Sequence, residues 1–273
     1  MMEWPEAATM ARQMNSALRR KRIHSAEREN SPHKWVFYNR PRKDYERLLP
    51  GRTVGRARAQ GSHVDVALSG GLTLQLGDGG ERIFLHEAAA NLPKKYHLLL
   101  RFDDGDALSV CVAGWGAVRL FDKAQHRKWA AREGGPSPLD DRLTLPAFKA
   151  HLDQCNRPVK AFFVNRPAVK GIGNGYLQDI LFRAGLHPRR KVPSLTPAER
   201  RKLYSAMRKV IKEAVAKGGR DDELDLFGRP GRYVRTLDRH ALGKPCPRCA
   251  TKIGKISFLG GTCYLCPACQ PEP

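Results

Sequence analysis

Residues 157–190 read RPVKAFFVNRPAVKGIGNGYLQDILFRAGLHPRR, and the centre of that stretch, Lys170-Gly171-Ile172-Gly173-Asn174-Gly175-Tyr176, runs directly into an amphipathic helical pattern. Glycines at 171 and 173 let the backbone approach a ligand closely. Asn174 is a capping residue type, and the N–H groups at a helix start favour a phosphate. Lys170, Gly173, Asn174 and Tyr176 are therefore candidate anion-binding positions. An ordinary tight turn before a helix is the alternative, and these seven residues alone do not decide between the two.

Further along, Cys246-x-x-Cys249 is followed after 16 residues by Cys266-x-x-Cys269, two pairs at the separation of a tetrahedral thiolate site. Basic neighbours Arg248, Lys252 and Lys255 favour the ionised thiols. One structural Zn²⁺ is expected on Cys246, Cys249, Cys266 and Cys269, and Cys263 is left over because it breaks the paired spacing. Disulfides or free thiols are the alternative. So small a segment has too few core residues to fold without its metal. Between the pairs, Ile256-Ser257-Phe258-Leu259-Gly260-Gly261-Thr262 reads as a β-hairpin, which with basic flanks can enter a DNA groove.

Other helices are expected near 145–155, 174–184 and 196–217, the last opening with the capping sequence Thr196-Pro197-Ala198-Glu199. The Gly/Pro-rich stretch EGGPSPLDD (133–141) reads as a linker. Before it, residues 21–125 have a β texture. VDVAL (64–68), LTLQL (72–76), RIFLH (82–86), HLLLRF (97–102) and ALSVCV (107–112) alternate with turn signals such as Gly77-Asp78-Gly79-Gly80. That rhythm suggests a sandwich or barrel. The chain opens with a helix expected over 5–20, where Pro5 suits the first turn, Glu6 complements the dipole, and Met10, Met14, Ala17 and Leu18 form an apolar stripe. Arg19-Arg20-Lys21-Arg22 reads as its solvated end, with contact to phosphate as the alternative.

Lys and Arg total 49 against 27 Asp and Glu, a net charge of +22 that calls for a polyanionic partner. No apolar run approaches membrane length and no amino-terminal signal pattern is visible, which sets the membrane aside and makes nucleic acid the expected partner, with a merely basic soluble protein as the alternative on charge alone. Cysteine usage fits a reducing cytoplasm, with the protein on the nucleoid. His86 and His97 could ligate a second metal, but ordinary strand histidines are the expectation.

Taken together, the 157–190 stretch resembles the helix–two-turn–helix segment of the formamidopyrimidine-DNA glycosylase/endonuclease VIII family. GRPGRYVRTLDRHALGKPCPRC (228–249) and CPACQ (266–270) resemble that family's approach to its zinc finger, and MMEWPEAATMARQM (1–14) is similar to its Met-Pro-Glu-Leu-Pro-Glu opening. The resemblance covers nearly the whole chain. It implies an α+β multi-domain fold: an N-terminal β-sandwich with flanking helices (1–132), a helix–two-turn–helix DNA-binding domain (133–243) and a C-terminal four-cysteine zinc-finger hairpin (244–273). It also implies that Asn174 contacts a backbone phosphate of double-stranded, damaged DNA, with Lys160 in the same matched stretch, and that the protein acts as a monomer.

The departures concern chemistry. The family uses an amino-terminal proline, exposed by removal of the initiator Met, to attack C1′ and form a Schiff base. This chain has Met2 at that position and keeps Glu3, the proton-handling neighbour. Initiator removal generally needs a small second residue, so the free amine is expected on Met1, one residue out of register. By the match, the family's catalytic Lys is replaced by Ser62, its wedge Met by Asp78 and its finger Arg by Gly261. Its Arg-Arg-Phe-Gly loop becomes Ala113-Gly114-Trp115-Gly116, in which Trp115 is either a wedge stacking in the duplex or a strand-end core aromatic.

Met1, Met2, Glu3 and Glu6 are thus the candidate catalytic residues, and Lys160, Lys170, Gly173, Asn174, Tyr176 and Trp115 the candidate DNA contacts. The expected function is base-excision repair by a DNA glycosylase with an altered nucleophile, with or without strand-cutting lyase activity. A catalytically silent relative that binds damaged or distorted DNA is the alternative, and an RNA-binding finger protein a third.

Overall fold

The computed structural model describes residues 1–133, 135–164 and 168–273. Gly134 of the expected linker, and Asn165, Arg166 and Pro167 of the 157–190 stretch, lie outside the described residues. The chain divides into two compact units, Met1–Gly134 with Lys217–Arg232, and Gly135–Ala216 with Tyr233–Pro273.

The first unit is a β-sandwich. Helix α1 (Trp4–Ala17) is followed by β1 (Ile23–Glu27), β2 (Val36–Phe37), α2 (Arg42–Leu48), β3 (Val54–Gln60), β4 (His63–Leu68), β5 (Leu72–Gly77), β6 (Glu81–His86), β7 (Leu98–Phe102), β8 (Ala107–Val112), β9 (Gly116–Phe121) and α3 (Lys123–Glu133). One sheet runs β1-β7-β8-β6 and the other β2-β9-β5-β4-β3. All pairs are antiparallel except β2–β9, where Val36 and Phe37 lie parallel to Gly116 and Ala117. Inward residues of both sheets, among them Val64, Leu74, Leu76, Leu98, Val110 and Val118, form one apolar core with Met10, Met14 and Leu18 of α1.

Two expectations for the chain start are corrected. Helix α1 begins at Trp4, with Glu3 as its cap, because Glu3 and Glu6 close a reciprocal capping box that fixes the first turn. It ends at Ala17, and the following basic run leaves the helix: Arg20 adopts φ 73° and Lys21 pairs with Asp104 and Asp106.

The second unit holds α4 (Leu145–Asp153), α5 (Val159–Val164), α6 (Asn174–Ala184), α7 (Pro197–Ala216) and the hairpin β10 (Gly254–Phe258)–β11 (Gly261–Leu265). Phe148 of α4 packs edge-on to Phe162 of α5, at 5.6 Å between ring centres. Helix α6 stops at Gly185, whose φ of 71° favours the residue without a Cβ. Among the described residues no helix is long and apolar enough to cross a membrane.

Candidate functional site

The amino terminus is folded into the first unit. Met2 is buried in the core and its N–H donates to the Gly79 carbonyl at 2.9 Å. That leaves Met1 half-exposed, with its amino group paired to the Glu223 carboxylate. Glu3 is only 2 % exposed, yet its charge is matched: Arg220 Nη1 donates to Glu3 Oε1 at 2.8 Å. The same guanidinium reaches the Met1 carbonyl at 2.5 Å and Glu223 Oε1 at 3.3 Å, while the Arg220 backbone N–H donates to Glu6 Oε1 at 3.0 Å. Gly219, at φ 97°, lets this loop close on Glu6, because a Cβ there would stand 3.0 Å from Glu6 Oε1. A primary amine, four carboxylates and a buried guanidinium therefore converge, the fourth being Asp222, whose Oδ1 lies 3.6 Å from Arg220 Nε. Met1, Glu3 and Glu6 come from the sequence reading. Arg220 and Glu223 do not, since they lie more than 200 residues away in a segment whose only local signal is glycine and charge.

Next to Met2, the turn 77–81 is held from both sides. Gly79 N–H and Ala117 N–H donate to the two oxygens of Glu81, at 2.9 and 2.7 Å. Burial pushes the Glu81 carboxyl up to about 7 against these hydrogen bonds. Asp78 does not project outward. It accepts from Arg119 at 2.7 Å and Ser62 at 3.1 Å, with His63 Nδ1 at 3.3 Å. Burial opposes its ionisation, but His63 and Arg119 outweigh that and hold it well below the usual carboxylate range. Ser62 and Asp78, read as replacements for reacting and probing residues, thus belong to one internal polar network with Asp65, Gln75 and His126. His86 and His97 are engaged by Ser109 and the Val112 N–H. Trp115 is 47 % exposed beside Trp35 and Phe37, which decides against a buried strand-end aromatic.

In the second unit, Gly173 rather than Asn174 is the α6 cap; Asn174 is the first helical residue, so the capping expectation for its side chain is corrected. Gly171 has φ 78°, a conformation that explains glycine there. Tyr176 is fully buried with its ring 5.3 Å from that of Tyr233, so its ring belongs to the core. Asp179 fixes the segment after Arg232, accepting from the Tyr233 hydroxyl and the N–H groups of Thr236 and Leu237 at 2.8–2.9 Å. Lys160 is 1 % exposed, and its ammonium donates to the Phe258 carbonyl at 2.6 Å and lies 3.3 Å from Cys263 Sγ. The hairpin closes through Leu259 and Gly260, at φ 49° and 71°, the signature of a type I′ turn. Gly261 nests on α6, since a Cβ there would stand 2.8 Å from Asn174 Nδ2.

The sulfurs of Cys246, Cys249, Cys266 and Cys269 all lie within 4.8 Å of one another. Separations of 3.4, 3.5 and 3.9 Å are far beyond a disulfide bond and close to the ~3.8 Å edge of a tetrahedron with Zn–S of about 2.3 Å. The four residues fit a zinc ion. Cys263 stands apart, on Lys160.

Comparison with known proteins matches residues 1–112 to the formamidopyrimidine-DNA glycosylase N-terminal domain and 135–223 to the formamidopyrimidine-DNA glycosylase H2TH domain. Formamidopyrimidine-DNA glycosylases of Chloroflexus aggregans and Moorella thermoacetica are 30 % and 32 % identical to the chain, over 99 % and 94 % of it and 98 % and 94 % of their own length. The Gluconobacter oxydans enzyme is 30 % identical over 99 % of the chain and all of its own. Among solved structures, Lactococcus lactis Fpg (MutM) bound to DNA containing N7-benzyl-Fapy-dG superposes with a TM-score of 0.89, at 22 % identity, over 99 % of this chain and 100 % of that one. The Lactococcus lactis Fpg complex with abasic-site DNA gives 0.88 with the same identity and coverage.

Proposed function

The chain belongs to the formamidopyrimidine-DNA glycosylase family, and from that membership we propose that it is a base-excision-repair DNA glycosylase whose nucleophile is the Met1 amine. The observation that carries this reading is the convergence of that amine with Glu3, Glu6, Arg220 and Glu223. A proline amine at position 2 is replaced by a buried Met2 whose N–H is committed to Gly79, and the reactive amine moves out by one residue, ~3.8 Å along the chain. Glu223 accepts the proton that the Met1 ammonium must lose. The freed lone pair attacks C1′ of the damaged nucleoside, and the C1′–N bond breaks with its electrons leaving on the base. Arg220, donating to Glu3 Oε1, holds that carboxylate in place beside the positive charge that develops on the sugar.

The second unit supplies the phosphate contacts in this proposal. The head of α6 offers backbone N–H groups and the helix dipole, with Asn174 at its first turn and Lys170 just before it. Zn²⁺ on the four cysteines holds the hairpin folded; it takes no part in the reaction.

The test is borohydride trapping on an abasic duplex together with base release from a panel of lesion-containing duplexes. A covalent adduct on Met1, with release lowered about 100-fold or more in Glu3→Gln, is the expected outcome. Release without an adduct would replace the amine by a water activated by Glu3. Tight binding with neither would make the protein a silent reader of damaged DNA. Asn174→Ala should weaken binding about ten-fold on any duplex, and the log of affinity should fall linearly with the log of salt.

A further inference from the structure

Lys160 of α5 is a buried cation with no acid beside it. It is 1 % exposed, and among the described residues its acceptors are the Phe258 carbonyl at 2.6 Å and Cys263 Sγ at 3.3 Å. A fully buried lysine is ordinarily paired with a carboxylate, and no carboxylate of the described residues pairs with this one. Cys263 is buried as well, on β11 opposite Ile256 of β10, and stands outside the four-sulfur cluster. A lysine nitrogen is thus pressed against a thiol in a place where neither holds the metal.

The pair lies under the tip of the hairpin. A Cβ on Gly261 would stand 3.6 Å from Lys160 Nζ and 2.8 Å from Asn174 Nδ2, so Lys160 and Asn174 flank the same turn. Residues 257–262 line an open hollow of about 420 Å³, and two of them, Phe258 and Gly261, are the ones that meet Lys160. That hollow gives a water-sized reagent a short route to the thiol. Cysteines that react with oxidants stand beside cations, and the oxidised sulfur is captured by a neighbouring nucleophile. In most redox-sensing sites that nucleophile is a second cysteine; here the group in contact is the lysine nitrogen.

We propose that Cys263 and Lys160 form a modification site for hydrogen peroxide, closing to a sulfur–nitrogen bond that releases the hairpin tip. Cys263 Sγ attacks one peroxide oxygen and the O–O bond breaks. The sulfur is oxidised to a sulfenic acid, and the other oxygen is reduced and leaves as water with the thiol proton. Lys160 Nζ, having given one proton to solvent, then attacks the sulfur. The S–O bond breaks as the S–N bond forms, and the hydroxide leaves as water with a second nitrogen proton. The product is a sulfenamide; one peroxide is consumed, and a thiol reductant returns the starting pair. Bridging draws Nζ from the Phe258 carbonyl towards β11, and the tip beside Asn174 loses its anchor. The bridge is independent of the glycosylase reading, whereas its effect on DNA rests on the phosphate contacts proposed there for the head of α6.

The experiment treats the full-length zinc-loaded protein with a small excess of hydrogen peroxide and follows intact mass, tryptic peptides, zinc content and affinity for a paired duplex. The mass is expected to fall by two hydrogens, with a new peptide joining residue 160 to residue 263, no cleavage after Lys160 and zinc retained. Affinity should drop about ten-fold and return on adding dithiothreitol. Cys263→Ser should keep its mass and its affinity through the same treatment, and Lys160→Arg should stop at a sulfenic acid that dimedone traps. If Cys263→Ser loses its zinc, the peptide map of the wild-type protein decides alone. Oxygen added to Cys263 without a joined peptide, oxidation of the four metal ligands ahead of Cys263, or a bridge that leaves a measurable affinity unchanged overturns the proposal. If the bridge forms but the reduced protein binds no duplex, the modification site stands and the glycosylase reading fails.

Discussion

The amino terminus and the head of α6 are built on opposite plans. At the first, side chains do the holding: Arg220 gathers Glu3, Glu6, Glu223 and the Met1 carbonyl, and Met2 plugs the core. At the second, backbone does it: Gly171 and Gly261 occupy places where a Cβ would strain the chain or meet Asn174, and Lys160 grips a carbonyl of the hairpin. A site made of side chains can be rebuilt one residue at a time. A site made of backbone tolerates little change, because every substitution moves the chain itself. This is a physical reason for the family resemblance to be dense in 157–190 and thin around Met2, Ser62 and Asp78.

The contrast can be broken most severely by removing the metal. Chelation, or Cys266→Ser, should unfold 244–273 and abolish phosphate binding, because apparent zinc affinities of about 10–16 kcal/mol are folding energy in such fingers. Hydrogen exchange should show loss of protection in β10 and β11 with the first unit intact; a protected hairpin in the apo-protein would refute the assignment. Next in size, Arg220→Ala strands buried Glu3 and Glu6 and should cost about 3–5 kcal/mol in urea unfolding of the first unit, with little change in zinc content.

A pH titration sharpens the comparison further. Burial raises Glu81 from an ordinary 4.5 to about 7 in the folded protein. The folded state therefore holds this proton more tightly than the unfolded chain does. Stability present below pH 4.5 is lost as pH rises towards 7, on the order of 3 kcal/mol in all. Glu81→Gln should flatten that slope in unfolding curves measured between pH 4.5 and 8; an unchanged slope would acquit Glu81. The smallest effect is expected at the hairpin tip, where Leu259 sits at φ 49°. Leu259→Asn should relieve the strain and raise stability by roughly 0.5–1 kcal/mol, read as a small rise in the finger's melting point.

How far the sequence carries depends on whether a signal is local. Helix α6 is legible to the residue because a glycine turn precedes it, an apolar stripe runs through it and Gly185 ends it. Strands β4 to β8 are legible from alternation between turn residues, and the four cysteines from spacing. Strand β3 is not, because VGRARAQ places arginines on its outer face and only Val54 and two small alanines, Ala57 and Ala59, inward. Helix α3, KAQHRKWAARE, has no apolar stripe, and α5, VKAFFV, is apolar except for Lys160 and too short to show a period. The candidate site divides in the same way. Glu3 and Glu6 are visible as a pair at a helix start, whereas their cation arrives from residue 220 through tertiary folding.

Residues Lys217–Arg232 return to the first unit after the chain has already built α7 of the second. The halves are consequently interleaved, and a gene fragment stopping anywhere before codon 217 would encode a sandwich whose acidic pair has lost its counter-ion. Such a protein cannot be assembled by swapping cassettes. Recombination between relatives would have to carry both segments together, so the amino terminus and the loop around Arg220 should share one ancestry even where the sequence separating them does not.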